Sequence, residues 1–246
     1  MKTVYKKPAC LGVRKRNSFC PGCMHSIASR LVAEVLEEMD LVDNSVMIAG
    51  IGCGGNASFG YIDMDVGKAP HGRACALASA YKRCNPDELV FTYQGDGDLA
   101  AIGFAETMHA ANRGENFSVI FINNALYGMT GGQLAPTTLE GMVTTTSPAG
   151  RGNNGEGYPM NVCELINCFK APAYIARGTC TDPKNVRKTK ECIRKAFQNQ
   201  LDGKGFSIVE IVSACPSDWH MSPKQCIDFI NEKMLPEYPL GEFRSR

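Results

Sequence analysis

The sequence predicts an α/β protein built on a doubly wound, mostly parallel sheet. Short runs rich in Val, Ile and Phe alternate with longer runs whose apolar residues recur at helical spacing. The strand-like runs are almost continuously apolar, as expected for parallel strands covered by helices on both faces. No internal repeat and no clear linker divides the 246 residues, so a single domain is expected.

Composition excludes several classes of protein. An apolar fraction of 44% and a charged fraction of 21% are ordinary for a soluble globular chain, and a net charge of +1 gives no electrostatic basis for nucleic-acid binding. No apolar run approaches the roughly 20 residues that a membrane helix needs. The basic N-terminal residues lack the apolar core of a secretory signal, so we expect a cytoplasmic protein.

The individual elements follow from apolar periodicity and from turn and cap residues. In chain order, the sequence predicts an irregular arm (about 1–25), a helix (26 to about 39), a strand (45–49), a helix (to about 83), a strand (89–93), a helix (98–113), a strand (117–122), a helix (about 161–168), a strand (173–176), a helix (about 183–201), a strand (206–212) and a last helix (about 222–234). Ser26 is the expected N-cap of the first helix. The Gly-rich segment after the first strand, Gly50–Gly55, is expected to be a flexible loop where backbone could approach a ligand.

Polar residues follow two of these strands where each one ends. Gly95, Asp96 and Gly97 follow the strand at 89–93, and Asn123 and Asn124 follow the strand at 117–122. If the two strands are neighbours, both segments meet at the carboxyl edge of the sheet, where doubly wound proteins bind ligands. The Asp96 carboxylate, the Asn124 amide oxygen and the carbonyl of Leu126 are hard ligands suited to Mg²⁺. The alternative is two ordinary turns, with Asp96 capping a helix.

Twelve cysteines in a chain without a secretory signal favour metal or cluster ligation together with unpaired buried thiols. Cys20 and Cys23 enclose Pro and Gly in a tight knuckle, which alone fits half a zinc site, a redox pair or chance. Cys53 and Cys215 each follow a predicted strand, so both are expected at the same sheet edge as Asp96. Four thiolates suit an iron–sulfur cluster, with zinc as the alternative. The other eight cysteines are interpreted as structural.

Taken together, these motifs resemble those of a known family. The Gly95–Gly97 segment followed by Asn123 and Asn124 looks like a thiamine diphosphate motif. The chain from about residue 18 onward resembles the β subunit of 2-oxoacid:ferredoxin oxidoreductases, and the segments that carry this resemblance are Phe19–Cys23, Gly50–Cys53, His71–Ala74 and Tyr127–Gln133. The resemblance implies the thiamine diphosphate-binding fold, specifically its diphosphate-binding domain. It also implies a cluster-binding arm (about 1–25) and a C-terminal extension (about 213–246).

The same resemblance implies the site residues. Asp96, Asn124 and the Leu126 carbonyl would hold Mg²⁺, and a [4Fe–4S] cluster would lie on Cys20, Cys23, Cys53 and Cys215. His71 is placed near the reacting centre. The residues that would contact the cofactor are Ile51, Gly52, Cys53, Gly54, His71, Gly97, Asp98, Gly128, Met129, Thr130, Gly131, Gly132 and Gln133.

The implied activity is oxidative decarboxylation of a 2-oxoacid to acyl-CoA and CO2, with one-electron transfers through the cluster to ferredoxin. A Glu that activates the cofactor is expected from a partner α subunit, and further clusters from γ and δ ferredoxin-like subunits. The apolar Met129, and Gly131 where some relatives carry Lys, favour 2-oxoisovalerate over 2-oxoglutarate or pyruvate. A non-redox thiamine enzyme and a zinc-binding structural subunit are the competing classes.

Overall fold

A computed structural model describes residues 6–14, 16–58, 60–152 and 155–246, so parts of the expected N-terminal arm (1–5 and 15) lie outside the described residues. The strands are β1 (Ser45–Ala49), β2 (Asp65–Lys68), β3 (Leu89–Gly95), β4 (Ser118–Asn123), β5 (Leu126–Tyr127), β6 (Gln133–Leu134), β7 (Tyr174–Thr179), β8 (Ser207–Val212) and β9 (Gly241–Ser245). The helices are α1 (His25–Glu38), α2 (Cys53–Ser58), α3 (Ala74–Cys84), α4 (Phe104–Arg113), α5 (Val162–Asn167), α6 (Pro183–Leu201), α7 (Pro216–Trp219), α8 (Pro223–Phe229) and α9 (Leu235–Glu237). Among the described residues, none of the helices has the length and apolar character to cross a bilayer.

Seven strands form one sheet in the order β2-β1-β3-β4-β8-β7-β9. All neighbours are parallel except β9, which runs antiparallel to β7. Strands β5 and β6 form a separate antiparallel pair. The predicted doubly wound, mostly parallel sheet is therefore confirmed, and the C-terminal segment returns to the sheet as its last strand.

Two apolar cores cover the two faces of the sheet. Alternate strand residues point to opposite faces, so Met47 and Phe91 belong to one core while Val46 and Val90 belong to the other. Helices α1 and α6 pack over the first face, and α3, α4 and α5 over the second. Five strands, β1, β4, β7, β8 and nearly all of β3, are buried along their length, which explains why they are almost continuously apolar.

The register aligns the strand ends that matter for function. Ala49 pairs with Tyr93, Gly95 with Ile122, and Asn123 with Val212. The loops that follow β1, β3, β4 and β8 therefore leave the sheet side by side at one carboxyl edge. The sequence led us to expect that these four loops would meet at one edge.

Several predicted boundaries are wrong, each for a local reason. Helix α1 begins at His25 with Met24 at its N-cap, and the Ser26 hydroxyl donates to the Cys23 carbonyl at 2.9 Å instead of capping the helix. The loop at Gly50–Gly55 is shorter than expected, because α2 already begins at Cys53. The predicted helix at 98–113 is a π-helical turn from Gly97 to Ile102 followed by α4, with Gly103 between them.

Four strands were missed. The two edge strands, β2 and β9, are mostly exposed or half-buried and carry no continuous apolar run. Strands β5 and β6 have two residues each and lie between residues 122 and 161, where the sequence predicted no helix or strand. Solvent on one side of an edge strand removes the apolar pattern that marks the central ones.

A buried ion network ties β7, β8 and α5 together. The Arg177 side chain is fully buried, and its Nε donates to Glu210 Oε2 at 2.8 Å. Its other two nitrogens donate to the Glu164 carboxylate at 2.8 and 2.6 Å. Glu210 is also fully buried, while the Glu164 side chain is 37% exposed. Arg177 therefore balances a carboxylate that has no access to water.

Replacing Arg177 with Met should lower the free energy of unfolding by about 3–5 kcal/mol, because the buried Glu210 carboxylate loses its counter-charge. Urea unfolding followed by circular dichroism measures the change. Lys188→Met on the exposed face of α6 is the matched control and should stay within about 0.5 kcal/mol. A loss below about 1 kcal/mol for Arg177→Met would show that the network is not structurally important.

Candidate functional site

A cleft opens at the carboxyl edge of the sheet, where the loops after β1, β3 and β4 meet. Its lining includes most of the predicted cofactor contacts: Ile51, Gly52, Cys53, Gly54, His71, Gly97, Asp98, Gly128, Met129 and Thr130. All three predicted Mg²⁺ ligands, Asp96, Asn124 and Leu126, also line it. The sequence did not predict the participation of His25, Gly95 and Tyr127. The cleft therefore collects in one place the segments that the motifs indicated.

Asp96 lies at the base of this cleft and is 2% exposed. Its Oδ1 accepts from Gly97 N at 2.9 Å, and its Oδ2 accepts from Leu126 N at 3.1 Å and from Thr137 Oγ1 at 2.8 Å. Burial raises the pKa of Asp96 to about 7, although these donors favour the charged form. A cation beside the carboxylate would supply the charge compensation that burial removes.

The side-chain oxygen of Asn124 lies close to both the Asp96 carboxylate and the Leu126 carbonyl. The side-chain oxygen of Asn124 lies 2.8 Å from the Leu126 carbonyl oxygen and 3.2 and 3.3 Å from the two Asp96 carboxylate oxygens. In this orientation the Asn124 oxygen faces only acceptors, and a reversed amide would turn the contacts into hydrogen bonds. Adjacent ligands of an octahedral Mg²⁺ bound at 2.0–2.1 Å are about 3.0 Å apart. The residues present therefore fit a hard cation held by one carboxylate, one amide and one backbone carbonyl.

Asp98 assembles the cleft from three separate segments. Its Oδ1 accepts from Ile51 N at 3.1 Å and from Gly72 N at 2.9 Å, and its Oδ2 accepts from Gln94 Nε2 at 2.5 Å. The carboxylate is thus shared between the loop after β1, the turn before α3 and strand β3. The sequence predicted Asp98 as a cofactor contact, which stays a prediction. The hydrogen bonds add a structural role that the prediction lacked.

His71 lies beside this carboxylate. Its Nδ1 is 2.7 Å from Asp98 Oδ1, although the two atoms are not aligned for a hydrogen bond. The His71 ring lies 6.4 Å from the Tyr127 ring, centroid to centroid. The histidine is therefore held at the wall of the cleft with part of its surface open. Its predicted role near the reacting centre stays a prediction.

Close packing explains two of the glycines in the cleft. A Cβ on Gly97 would lie 2.1 Å from the Tyr127 ring, whose hydroxyl donates to the Gly97 carbonyl at 3.3 Å. A Cβ on Gly50 would lie 2.2 Å from Asp98 Oδ2. Both positions need glycine because a neighbouring side chain fills the space of a Cβ.

Three predicted cofactor contacts do not line the cleft: Gly131, Gly132 and Gln133. Gln133 belongs to β6, and its side chain donates to the Thr130 carbonyl at 2.8 Å. A Cβ on Gly132 would lie 3.0 Å from the Asp218 side chain, so this glycine packs against α7. In the described part of the chain these residues shape the loop that carries Met129, and their contact with a cofactor stays a prediction.

The four predicted cluster cysteines lie in one neighbourhood, as their mutual electrostatic effects show. Burial raises the pKa of Cys23 to about 12, with further contributions from Cys53 and Cys20. Burial likewise raises the pKa of Cys53 to about 11, with Cys20 contributing. Burial also raises the pKa of Cys215, and Cys23 contributes to that shift. Cys226, interpreted from the sequence as structural, also acts on Cys23.

Among the described residues, these thiols do not form a site for a single metal ion. Within residues 6–14, 16–58, 60–152 and 155–246, no three His, Cys, Asp or Glu side chains are close enough to hold one metal ion. Four sulfurs bound to one zinc at about 2.3 Å would lie within about 4 Å of each other. In a four-iron cluster each thiolate binds a different iron, so the sulfurs stay further apart. Ligation of a cluster or of zinc by these thiols stays a prediction.

Two residues of α7 connect the cysteines to the cation ligands, and the sequence did not predict them. Asp218 Oδ2 accepts from Cys215 Sγ at 3.2 Å, and Trp219 Nε1 donates to the Asn124 carbonyl at 3.2 Å. A Cβ on Gly128 would lie 3.3 Å from Cys215 Sγ and 3.4 Å from Asn124 Nδ2. The two predicted centres are therefore separated by a single glycine.

Comparisons with known proteins agree on the type of domain. The family model described as "Thiamine pyrophosphate enzyme, C-terminal TPP binding domain" matches residues 45–211. Ketoisovalerate oxidoreductase subunit VorA of Methanothermobacter thermautotrophicus is 44% identical over 230 residues, which cover 93% of this chain and 48% of that protein. 2-Oxoglutarate synthase subunit KorB of Archaeoglobus fulgidus is 36% identical over 214 residues, which cover 87% and 75%. The chain thus spans about half the length of the ketoisovalerate relative.

Solved structures share the fold. The 2-oxoglutarate:ferredoxin oxidoreductase of Magnetococcus marinus matches with a TM-score of 0.77 and 24% identity, over 100% of this chain and 87% of that one. The thiamine diphosphate-dependent 4-hydroxybenzoylformate decarboxylase of Rhodococcus jostii matches with a TM-score of 0.50 and 14% identity, over 76% and 32%. At these identities the likeness concerns the fold alone.

Gly97→Ala should lower the free energy of unfolding by about 1–3 kcal/mol, because its Cβ collides with the Tyr127 ring and forces it to move. Thermal or urea unfolding measures the loss. Gly95→Ala is the matched control, since a Cβ there meets nothing within 4 Å, and its stability should change by less than about 1 kcal/mol. Equal effects of the two substitutions would contradict the packing described for Tyr127.

Proposed function

The chain belongs to the thiamine pyrophosphate enzymes, among the β subunits of 2-oxoacid:ferredoxin oxidoreductases, and on that premise we propose that it binds thiamine diphosphate through Mg²⁺ to cleave a 2-oxoacid. The observation that carries the proposal is the convergence of Asp96, Asn124 and the Leu126 carbonyl at the base of the cleft. These are the oxygens that would hold the cation between protein and diphosphate.

Thiamine diphosphate supplies, when bound, the chemistry that breaks the bond between the 2-oxo carbon and the carboxylate. The chain's own residues bind and orient. Asp96 and Asn124 would bind the cation. The Asp98 carboxylate accepts hydrogen bonds from Ile51 N and Gly72 N and so holds these two segments in place around the cleft. His71, beside Asp98 at the wall, is the side chain we propose near the reacting atoms.

A [4Fe–4S] cluster on Cys20, Cys23, Cys53 and Cys215 is the second part of the proposal. Cys53 lines the cleft and Cys215 is separated from Asn124 only by Gly128, so electrons would have a short path from the reacting centre. Cys20 is exposed, which would bring one corner of the cluster to the surface. That arrangement supports transfer of electrons, one at a time, to ferredoxin outside the protein.

The overall reaction we propose consumes a 2-oxoacid carboxylate and coenzyme A, forms acyl-CoA, releases CO2 and one proton, and gives two electrons to ferredoxin. Partner subunits would complete the enzyme, with an α subunit supplying the Glu that activates the cofactor and γ and δ subunits carrying further clusters. Support comes from the relatives, which are named as subunits of oxidoreductases or synthases. The cytoplasmic location and the division into arm, domain and extension stay part of this proposal.

2-Oxoisovalerate is the substrate we propose first. The relative named for ketoisovalerate is 44% identical and the one named for 2-oxoglutarate is 36% identical. Met129 is half exposed at the mouth of the cleft and presents an apolar surface to an entering substrate. 2-Oxoglutarate and pyruvate are the alternatives. A non-redox thiamine enzyme would have no use for four thiols beside the cation site, which favours the redox reaction.

Protein purified without oxygen, together with its co-purifying subunits, should contain about four irons and four sulfides attributable to this chain and little zinc. Cys215→Ser should lower the iron and sulfide attributable to this chain, as measured by elemental analysis and by the visible absorption of the cluster. Cys226→Ser is the informative control, because Cys226 is buried near Cys23 but lies outside the proposed set. Loss of iron in Cys226→Ser with retention in Cys20→Ser would overturn the ligand assignment.

Rates with a panel of 2-oxoacids should give the highest kcat/KM for 2-oxoisovalerate, by at least about tenfold over 2-oxoglutarate. Met129→Arg should shift the ratio toward 2-oxoglutarate, because the new charge attracts the second carboxylate. Leu165→Arg, an exposed position on α5 outside the residues that line the cleft, is the control and should leave the ratio unchanged. An unchanged ratio in Met129→Arg would remove Met129 as a specificity residue.

A further inference from the structure

The turn that carries the proposed cation ligands contains an unfavourable backbone conformation. Ala125 is fully buried and has a φ of 60°, in the left-handed region. An L-residue other than glycine pays about 1–2 kcal/mol for that conformation. Ala125 lies between Asn124 and Leu126, and the backbone changes direction there. This turn places the Asn124 side-chain oxygen 2.8 Å from the Leu126 carbonyl oxygen. The geometry of the cation site therefore depends on this one residue.

Three polar backbone groups at Asn124 and Ala125 each have a specific partner. Ala125 N donates to Asn123 Oδ1 at 3.1 Å, and its carbonyl accepts from Thr138 Oγ1 at 2.6 Å. The Asn124 carbonyl accepts from Trp219 Nε1 at 3.2 Å. The amide of Ala125 is thus held by the side chain of Asn123, a residue that is not itself among the cation ligands.

The orientation of the Asn123 amide is in turn set by Glu210. Asn123 is completely buried, and its Nδ2 donates to Glu210 Oε1 at 2.7 Å. A carboxylate only accepts, so Glu210 compels Asn123 to point its NH2 group toward β8 and its oxygen toward Ala125 N. The other oxygen of Glu210 is occupied by Arg177. An ion pair in the sheet is therefore connected to the turn through one side chain.

We propose that Glu210 is a positioning residue for the cation site, acting through Asn123 to hold Ala125 in its left-handed conformation. The inference rests on the proposed function, because it concerns the cation that Asp96, Asn124 and the Leu126 carbonyl would bind. Neither Glu210 nor Asn123 is among the ligands proposed for the cation. They act by holding the turn at Ala125 in the conformation that the cation site requires.

Stability alone does not account for this arrangement. A buried ion pair is often no better for stability than apolar side chains of the same volume. Arg177 already has a bidentate partner in Glu164, which is partly exposed and, among the hydrogen bonds of the described residues, has none to Asn123. Glu210 differs from Glu164 in one respect that matters for the site, namely its hydrogen bond to Asn123.

The substitution Glu210→Gln tests the link between Glu210 and Asn123 most directly. Glutamine has a single side-chain acceptor oxygen, and the charged Arg177 would donate its hydrogen bond to that oxygen. The NH2 group of the glutamine would then face Asn123, which would have to turn its oxygen away from Ala125 N. We expect the affinity for Mn²⁺, a probe that prefers the same oxygen ligands, to fall about 10- to 100-fold in the presence of thiamine diphosphate.

The affinity is measured by the electron paramagnetic resonance signal of free Mn²⁺, with the full chain and its co-purifying subunits. Glu164→Gln is the matched control: it removes a carboxylate from the same arginine without touching Asn123, and its Mn²⁺ affinity should not change. Adding Ala125→Gly to Glu210→Gln should raise the Mn²⁺ affinity about fivefold again, because glycine adopts the left-handed conformation without strain. A merely structural role for Glu210 predicts no such rescue.

The outcomes separate the inference from the proposed function. If Asp96→Ala leaves Mn²⁺ binding intact, the proposed cation site is wrong. If Asp96→Ala abolishes binding while Glu210→Gln binds as the unchanged protein does, the inference is wrong and the site stands. Should Glu210→Gln fail to fold, Asn123→Ala with and without Ala125→Gly decides by the same criterion, and failure of the glycine to restore affinity would overturn the inference.

Discussion

The constraint on which this site depends is the cost of burying carboxylates at the edge of a sheet. Asp96 and Asp98 are both 2% exposed, and each needs compensation for the water it has lost. Asp98 receives it from the protein, through two backbone N–H groups and the Gln94 side chain. Asp96 also accepts protein hydrogen bonds, yet both of its carboxylate oxygens face the side-chain oxygen of Asn124, which lies 2.8 Å from the Leu126 carbonyl oxygen. Asp98 organises the cleft, and Asp96 is the carboxylate that we propose binds a cation.

Around that cation site the chain places its other chemistry at short range. Gly128 separates Cys215 from Asn124, and helix α7 makes a second connection, since it begins next to Cys215 and ends at Trp219, which holds the Asn124 carbonyl. The coupling of carbon-bond cleavage to electron transfer that we propose would need such proximity. The cleft, the cysteines and the turn at Ala125 can therefore be understood as one assembly on the carboxyl edge of the sheet.

The sequence predicted the parts of this assembly that have local signals. Asp96 and Asn124 stand at the ends of apolar strands, and parallel strands bring such ends together. Most of the helices and the central strands follow from apolar periodicity, whereas the strand order does not. The N-cap at Ser26 was wrong because the Cys23 knuckle uses that hydroxyl, a contact that no helix signal records.

What the sequence did not predict are the partners that fix these residues. Arg177 and Glu210 each interrupt an otherwise apolar strand, and a charge in such a strand requires a counter-charge. That signal could have paired them, whereas the further link to Asn123 depends on the register of β4 and β8. Thr137 and Trp219 lie in segments without a periodic pattern, so their contacts with Asp96 and Asn124 emerge only in three dimensions.

The central claim, that Asp96, Asn124 and the Leu126 carbonyl bind a cation, is tested most directly by anomalous scattering from crystals grown with Mn²⁺ and thiamine diphosphate. The account predicts one strong Mn²⁺ peak in the cleft, with all three oxygens at roughly the 2.1 Å that an octahedral hard cation requires. A map with no peak beside Asp96, or a peak bound by other residues, would contradict it.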